Sequence, residues 1–483
     1  MPRHRSLREV VEWSYVGLLD EAQRDLFVQL ATFAGSVEPA AITAVCGTTG
    51  CLPDLVDRSL VVRSPQEPVT FGLLETLRAF GRSRLATDPA APVLRRRHAA
   101  WAVGFAEQVW TAHESPTEAT EIRRFTAHLS ELRRAHAWLC TNGPLEEQLR
   151  LGIVLADQAY IQARVDLVRL VDEALAAVRP SDGGPSDDGA AAHPLLARLL
   201  GYAAMSSWQR GNLGEAEARC RTAFAVAEAA GEPTSAREAW EALGNVLAFR
   251  GDMTGALAHC AHSRDLAIAA GDRWAELMGV LDLTITSAYA GRHDDAARHG
   301  HESAELAEQM GSPSAAAWAA FAVGERLAQI GSPDATRHLE RAVELASEVD
   351  ATFVLGVARH TLLTTAARRG DPAEMTRRIG PLLDHWHGLG AWTQLWIAIR
   401  ALIEALSRTG RHRDVAQLIG ALRASHTAPT EFGPDAERTR AAEAAARKAL
   451  GPEFAAQLAE GAALGDTGAV SLARRLGAVT SPP

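Results

Sequence analysis

The chain has 483 residues, 47% hydrophobic and 22% charged, with a formal net charge of −10. That length exceeds what one hydrophobic core serves, and the acidic balance disfavours general electrostatic binding to nucleic acid. Of the 49 basic residues only Lys448 is a lysine, in Ala446-Arg447-Lys448-Ala449 with no glycine loop before it, which excludes a P-loop and argues against Schiff-base chemistry.

Helical periodicity runs from Leu7 to Leu18 and from Glu21 to Phe33, and short helices follow near Pro39–Cys46 and over 52–58. Leu60-Val61-Val62-Arg63 reads as a strand, Ser64 to Pro68 as a turn, and Val69-Thr70-Phe71-Gly72-Leu73 as a second strand. A helix from Leu74 to Leu85 closes the segment. Helices plus a hairpin predict a winged-helix module over 1–90. Such modules often read DNA, and a reading helix presents Arg, Lys, Asn or Gln to bases and phosphates. The helix in that position, Leu52-Pro53-Asp54-Leu55-Val56-Asp57-Arg58, carries two aspartates, its predecessor offers Glu38 and no cation, and the wing offers Arg63 and Glu67. Direct DNA binding is therefore the secondary reading and a packing role the first.

A helical region with a degenerate repeat is expected over 91–178, its last pair near Leu145–Val178. Residues 179–194 are too polar and too rich in Gly and Pro to pack, and read as a linker or exposed loop.

From there glycines recur at Gly211, Gly251, Gly291, Gly331, Gly370 and Gly410, in steps of 40, 40, 40, 39 and 40, each in a short polar turn. A second register marks the other end of the unit at Gly231, Gly271, Gly311 and Gly390. A fixed period means one supersecondary unit copied and stacked. Trp240-x-x-Leu243-Gly244-x-x-Leu247, then Gly251, then Ala256, is the tetratricopeptide pattern. At 40 residues the unit is longer than the usual ~34, so each helix is extended by about a turn. Cys220 and Cys260 are also one period apart, which fits equivalent buried positions. The fold expected is all-α: a tetratricopeptide-like solenoid over 195–425 behind a small winged-helix module. A helical cap and tail over 426–483 breaks at Gly451-Pro452 and frays at Ser481-Pro482-Pro483.

In such hairpins the first helix lines the concave surface. The inward positions, read across the units, are Trp208, Glu241, Asn245, Phe249, Tyr289, Phe321, Glu325, His360, Arg400 and Glu404. They form the candidate groove for a protein partner or a small effector. Trp208, Phe249 and Tyr289 should stand on one wall, about 10 Å apart per unit. Exposed there, Phe249 and Tyr289 should matter more for binding than for stability.

Other motifs favour plain structural readings. Arg-Gly-Asp at 250–252 and 369–371 falls in the repeat turn. His259 with His262, and His385 with His387, lack a further ligand at dependable spacing, and Cys46 and Cys51 lack a second pair, so no metal and no cofactor is expected. No nucleophile elbow, zincin helix or dinucleotide fingerprint occurs, so no enzyme is expected. No apolar run reaches ~18 residues and no apolar segment follows the basic Met1-Pro2-Arg3-His4-Arg5, so neither a membrane span nor a secretory signal is expected. Five scattered cysteines fit a reducing cytoplasm.

A resemblance adds to this. Arg3-His4-Arg5-Ser6-Leu7-Arg8, Glu12-Trp13-Ser14-Tyr15, Leu18-Leu19-Asp20-Glu21, Phe33-Ala34-Gly35, Leu55-Val56-Asp57-Arg58-Ser59-Leu60-Val61, Leu73-Leu74-Glu75-Thr76-Leu77-Arg78 and Arg95-Arg96-Arg97-His98-Ala99 resemble the STAND-class signal-transduction ATPases of actinobacteria, the AfsR/SARP- and LuxR-type transcriptional regulators. Leu132-Arg133-Arg134-Ala135-His136-Ala137-Trp138-Leu139 resembles that family's first repeat-region helix. The resemblance implies that an NB-ARC-type ATPase core precedes Arg3 and that a DNA-binding domain lies at one terminus. The chain is then a truncated member, a split-off paralogue or the product of a miscalled start, with its ATPase core supplied in trans or lost. The family's Met-His-Asp nucleotide contact corresponds to Leu73-Leu74-Glu75, where the histidine is missing. The function implied is inducer sensing on a non-enzymatic scaffold.

Overall fold

The computed structural model describes residues 2–65, 68–178, 192–429 and 433–478. Glu67 of the expected wing, residues 179–191 of the expected linker and the last five residues lie outside the described part. The chain divides into two compact units, one of Met1–Trp110, Thr120–Val154 and Ala176–Val178, the other of Thr111–Ala119, Leu155–Leu175 and Arg179–Pro483.

The first unit opens with α1 (Pro2–Leu18) and α2 (Glu21–Leu30). Asp20 and Gln23 cap α2 reciprocally: the Gln23 N–H donates to Asp20 (2.9 Å) and the Asp20 N–H to Gln23 (3.2 Å). α3 (Pro39–Cys46) and α4 (Leu52–Asp57) each start with a proline in the first turn, where its missing N–H costs nothing. The hairpin is shorter than expected. β1 (Val62–Arg63) pairs antiparallel with β2 (Phe71–Gly72), and Val37 adds a bridge to Phe71 from before α3. α5 (Glu75–Leu85) follows, and Leu26, Phe27, Phe33, Leu55, Leu77 and Phe80 form the shared core.

α6 (Ala91–Thr111), α7 (Glu118–Ala127) and α8 (Leu129–Asn142) come next. Glu131 at the start of α8 is 1% exposed and accepts from the Ala34 N–H (2.9 Å), the Gly35 N–H (2.5 Å) and His98 (2.9 Å). Burial pushes this carboxyl up, but the three donors win and hold it below its ordinary range. The Phe33-Ala34-Gly35 and Arg95–Ala99 motifs thus meet on one buried carboxylate.

α9 (Leu145–Ile161) and α10 (Val165–Val178) lead to the regular array. Six helix pairs follow: α11 (Pro194–Gln209) with α12 (Leu213–Ala229), α13 (Arg237–Phe249) with α14 (Met253–Ala270), and α15 (Arg273–Tyr289) with α16 (His293–Met310). The remaining three are α17 (Pro313–Gln329) with α18 (Ala335–Glu348), α19 (Thr352–Arg369) with α20 (Pro372–Gly388), and α21 (Trp392–Arg408) with α22 (His412–Ala424). The chain is an all-α tetratricopeptide-like solenoid, as the period requires. All ten repeat glycines have positive φ, between 63° and 86°, the left-handed turn that ends a helix at little cost only for glycine. The two Arg-Gly-Asp motifs are such turns: Asp252 and Asp371 cap the next helix by accepting from the N–H of Gly255 and Glu374 (2.9 Å each).

Inside a pair the packing is close. A Cβ on Gly244 would come within 2.8 Å of the Cys260 sulfur, so glycine lets the second helix of the pair seat this buried thiol. Burial pushes the Cys220 thiol up to about 12 and Cys260 up as well, which leaves both unreactive.

Where the second glycine register skips a member, Asp350 takes the left-handed turn at φ 50°. Asp350→Gly should therefore stabilise the array by about 0.5–1 kcal/mol. Thermal melting checks this, and a lowered melting temperature would contradict it.

α23 (Gly433–Leu450), α24 (Glu453–Ala462) and α25 (Gly465–Ala478) complete the chain, with Gly451 (φ 53°) breaking α23 from α24. α24 lies so close on α22 that a Cβ on Gly420 or Gly461 would meet backbone at about 2 Å.

Candidate functional site

The first helices of the six pairs face inward, and the array curls until its ends touch. The Thr393 hydroxyl on α21 donates to the Trp208 carbonyl on α11 (3.3 Å). The curl shapes a partly open cavity of about 210 Å³, lined by residues of α9, all six inward helices and α23. Phe353 at the start of α19 is its hub: the rings of Tyr160, Trp208 and Trp318 lie 5.6, 6.0 and 6.0 Å from it. Non-neighbouring repeats are thereby stapled together, which stacking of adjacent repeats alone does not provide.

Nine of the ten groove residues line this one cavity: Trp208, Asn245, Phe249, Tyr289, Phe321, Glu325, His360, Arg400 and Glu404. Glu241 does not. It shares the period of Phe321, His360 and Arg400, but α13 begins at Arg237, whose guanidinium takes the Glu241 carboxylate at 2.7 Å and holds it in a buried ion network with Glu238. The picture of an open aromatic wall is also corrected. Trp208 is 5% and Phe321 6% exposed, and Trp208 meets Phe249 edge-to-face at 5.1 Å, half the expected spacing, because inner faces crowd where the array curls. Phe249 and Tyr289 are half-buried.

The polar groups are placed with equal definition. Glu325 accepts from the Tyr289 phenol (2.8 Å), the Gln329 amide (2.8 Å) and the Thr361 hydroxyl. Asn245 donates to Asp282 (3.2 Å), whose carboxyl is raised well above its usual range by burial and by the nearby Glu241. Glu404 pairs with Arg408 (2.9 Å) and Arg438 (3.5 Å). Burial pulls His360 down to about 4, and although Glu325 opposes this, Arg368 and Arg400 reinforce it; the ring is therefore neutral at physiological pH. Burial and Arg368 likewise lower the Arg438 guanidinium. The indole N–H groups of Trp208 and Trp318 and Nδ1 of His360 are buried and have no hydrogen-bond partner among the described residues. These three groups line this cavity, and others, among them the Ser206 hydroxyl and the Trp386 indole N–H, lie elsewhere among the described residues.

The period could have supplied more of the site. Trp318, Val357 and Ile397 repeat at 39 and 40 residues, as do Thr361 and Ala401 at 40, one turn or one residue from positions singled out above. Tyr160 and Arg438 come from outside the array, and no repeat signal reaches them.

The histidine pairs pack on tryptophans: His259 and His262 lie 5.1 and 4.7 Å from the Trp240 ring, and His387 5.8 Å from Trp392. Among the described residues no group of three or more His, Cys, Asp or Glu is placed to hold a metal ion, and no helix is long and apolar enough to cross a membrane.

No family model matches the chain. Its sequence is 26% identical over 377 residues to proteins of Mycobacterium tuberculosis and Mycobacterium bovis, each named "Putative HTH-type transcriptional regulator"; the alignment covers 74% of this chain and 41% of each of those. The chain thus spans about two fifths of the length of the curated relatives it matches. Among solved structures it is similar to a Signal Transduction ATPase with Numerous Domains (STAND) protein with a tetratricopeptide repeat sensor from Pyrococcus horikoshii, at TM-score 0.51 and 13% identity, over 97% of this chain and 65% of that one. A Rap protein complexed with Competence and Sporulation Factor aligns at TM-score 0.46 and 11% identity, over 75% of this chain and 99% of that one. The likeness to the STAND protein is one of fold.

Proposed function

We propose that this chain is the non-enzymatic, cytoplasmic sensor portion of a transcriptional regulator of the AfsR or LuxR type, and that an effector enters the cavity of its repeat array. The observation that carries this is the partly open cavity lined by all six inward helices, with three buried polar groups that have no partner among the described residues; similarity to regulators supplies the context. The N-terminal helices and hairpin act, in this reading, as a winged-helix module that couples the array to an ATPase core in cis or in trans. Direct DNA reading through α4 is disfavoured, since Asp54 and Asp57 stand exposed on it.

A thermal-shift screen of the purified chain against small molecules tests the reading. An effector at about 100 times its Kd should stabilise the chain by roughly 2.7 kcal/mol. Ile397→Trp, which fills the cavity from α21, should keep the cooperative melt and lose that shift. Hits that stabilise Ile397→Trp as much as the natural chain would place the site elsewhere and end the proposal.

A further inference from the structure

Three helices of the first unit bring guanidinium groups together with little to neutralise them. α6 and α8 run antiparallel. His98 meets Glu131 at 2.9 Å, and further along α6 the Trp101 and Phe105 rings lie 5.9 and 4.9 Å from His128, which precedes Glu131. Arg95 is one turn back from His98 and Arg134 one turn on from Glu131, so this register carries both arginines to the same end of the helix pair. The end of α2 joins α5 to them. Gly81 seats on Ala31, where an added Cβ would come within 2.8 Å of the Ala31 side chain, and the N–H groups of Ala34 and Gly35 just beyond donate to Glu131. Arg82, beside Gly81, and Arg78, one turn earlier, thereby reach the same region.

The carboxylates there do not balance the four cations. Glu131 is taken up by Ala34, Gly35 and His98, and Glu147 pairs with Arg96 at 2.9 Å. Glu75 lies 2.7 Å from Arg78 and 4.0 Å from Arg82, and Arg78 also donates to the Leu73 carbonyl (2.7 Å). Nε of Arg82 is buried without a partner, and Arg95 and Arg134 have neither a hydrogen bond nor an ion pair among the described residues. Arg95 is exposed, whereas Arg134 is half-buried. Burial lowers the Arg134 guanidinium below its ordinary value, and Arg82, Arg95 and Arg78 lower it further against the opposing pull of Glu131. A half-buried charge repelled by like charges costs stability, and such groups gather where a ligand supplies the counter-charge.

We propose that Arg78, Arg82, Arg95 and Arg134 form a site for a small multivalent phosphate anion. The site shares no residue with the repeat cavity, and the inference does not rest on the effector reading. A phosphate chain presents many oxygens to several planar guanidinium forks at once, where a carboxylate presents two. Nucleic-acid backbone fits less well, because Asp54 and Asp57 stand exposed in the same unit and the chain as a whole is acidic. Inorganic polyphosphate and the tail of a nucleotide offer the same chemistry.

Isothermal titration calorimetry of the purified chain with tripolyphosphate, in magnesium-free buffer of low ionic strength, tests the site. Arg134→Gln should weaken binding about tenfold and Arg95→Gln roughly threefold. Arg134→Lys should recover only part of the loss, since a point charge lacks the fork. Arg341→Gln, which changes an exposed arginine on α18, should leave affinity unchanged. Without the anion, Arg134→Gln should melt at a higher temperature than the natural chain, a gain that also shows the variant to be folded. ATP binding more tightly than tripolyphosphate assigns the anion to a nucleotide, and equal or weaker binding assigns it to an inorganic polyphosphate. Citrate, a tricarboxylate, should bind about tenfold or more weakly than tripolyphosphate. Equal binding by citrate, or equal losses in Arg341→Gln and Arg134→Gln, would reduce the patch to undirected charge and end the proposal. Tighter binding by a DNA duplex of about 20 base pairs, lost in Arg134→Gln, would reassign the patch to nucleic acid and overturn the small-anion site. No binding to a natural chain that melts cooperatively would overturn it outright.

Discussion

His113→Ala should destabilise the second unit by roughly 3–5 kcal/mol, a larger effect than any surface substitution, because it strands two buried carboxylates. His113 lies just after α6, 1% exposed, with Nδ1 3.0 Å from Glu118 and Nε2 3.1 Å from Asp157, each also 1% exposed. Trp274 stacks on the imidazole at 4.8 Å and 20°. Glu118 reaches further and accepts from the Ser312 hydroxyl and the Ser314 N–H, both at 2.9 Å, at the start of α17. One imidazolium and two carboxylates thus tie residues 111–119 to α9, α15 and α17.

The same cluster sets a pH dependence with a definite sign. Burial opposes the charged ring, but hydrogen bonds to Asp157 and Glu118 outweigh it and raise His113 from 6.5 to about 10. A group whose pKa rises on folding contributes stability that is fully present below its unfolded pKa and is lost as pH climbs through the folded one. Stability of the natural chain should therefore decline between about pH 6.5 and 10, and His113→Gln should flatten that decline. Replacing all three groups at once, His113→Leu with Glu118→Gln and Asp157→Asn, should recover much of the loss, since no charge is left unpaired. Melts of the natural chain that hold steady across this range would show that the ring is not charged in the fold.

Sequence periodicity revealed the repeat because left-handed turns are chemically conspicuous: glycine is the residue that takes them cheaply. It weakened where another residue carries the strain, at Asp350 and at Ala163 between α9 and α10 (φ 50° each). The inward register was legible for the same reason, since a 40-residue lattice fixes which helix faces align. Glu241 shows its limit, because a local partner, Arg237, overrode the lattice. Closure was not legible at all. Curvature accumulates from small rotations between repeats that leave no residue pattern, so the contacts from Phe353 to Tyr160 and Trp208 had no sequence signature. The Glu131 and His113 clusters were also hidden: His113 and Glu118 are five residues apart, but their other partners lie 33 to 196 residues away and meet them only in the fold.

Phe353→Ala should be the other costly change, at roughly 3–5 kcal/mol, and its consequence should differ in kind from a loss within one repeat. The side chain is 2% exposed and meets the rings of Tyr160, Trp208, Trp318 and, at 5.8 Å, Trp386. Removing it enlarges a cavity that already exists, so neighbouring atoms have little incentive to collapse into the void. It also deletes the staple between the early inward helices and α19, leaving closure to contacts such as the hydrogen bond from Thr393 to Trp208. Half-buried Phe249, which touches Trp208 from the cavity rim, should cost under about 2 kcal/mol when cut to alanine, since it bridges adjacent repeats only. Acrylamide quenching separates the two outcomes: tryptophan emission should become more accessible in Phe353→Ala and stay near natural in Phe249→Ala. Equal costs and equal quenching in both variants would mean that neighbour-to-neighbour stacking alone holds the array, and that the curl around the cavity contributes nothing to its stability.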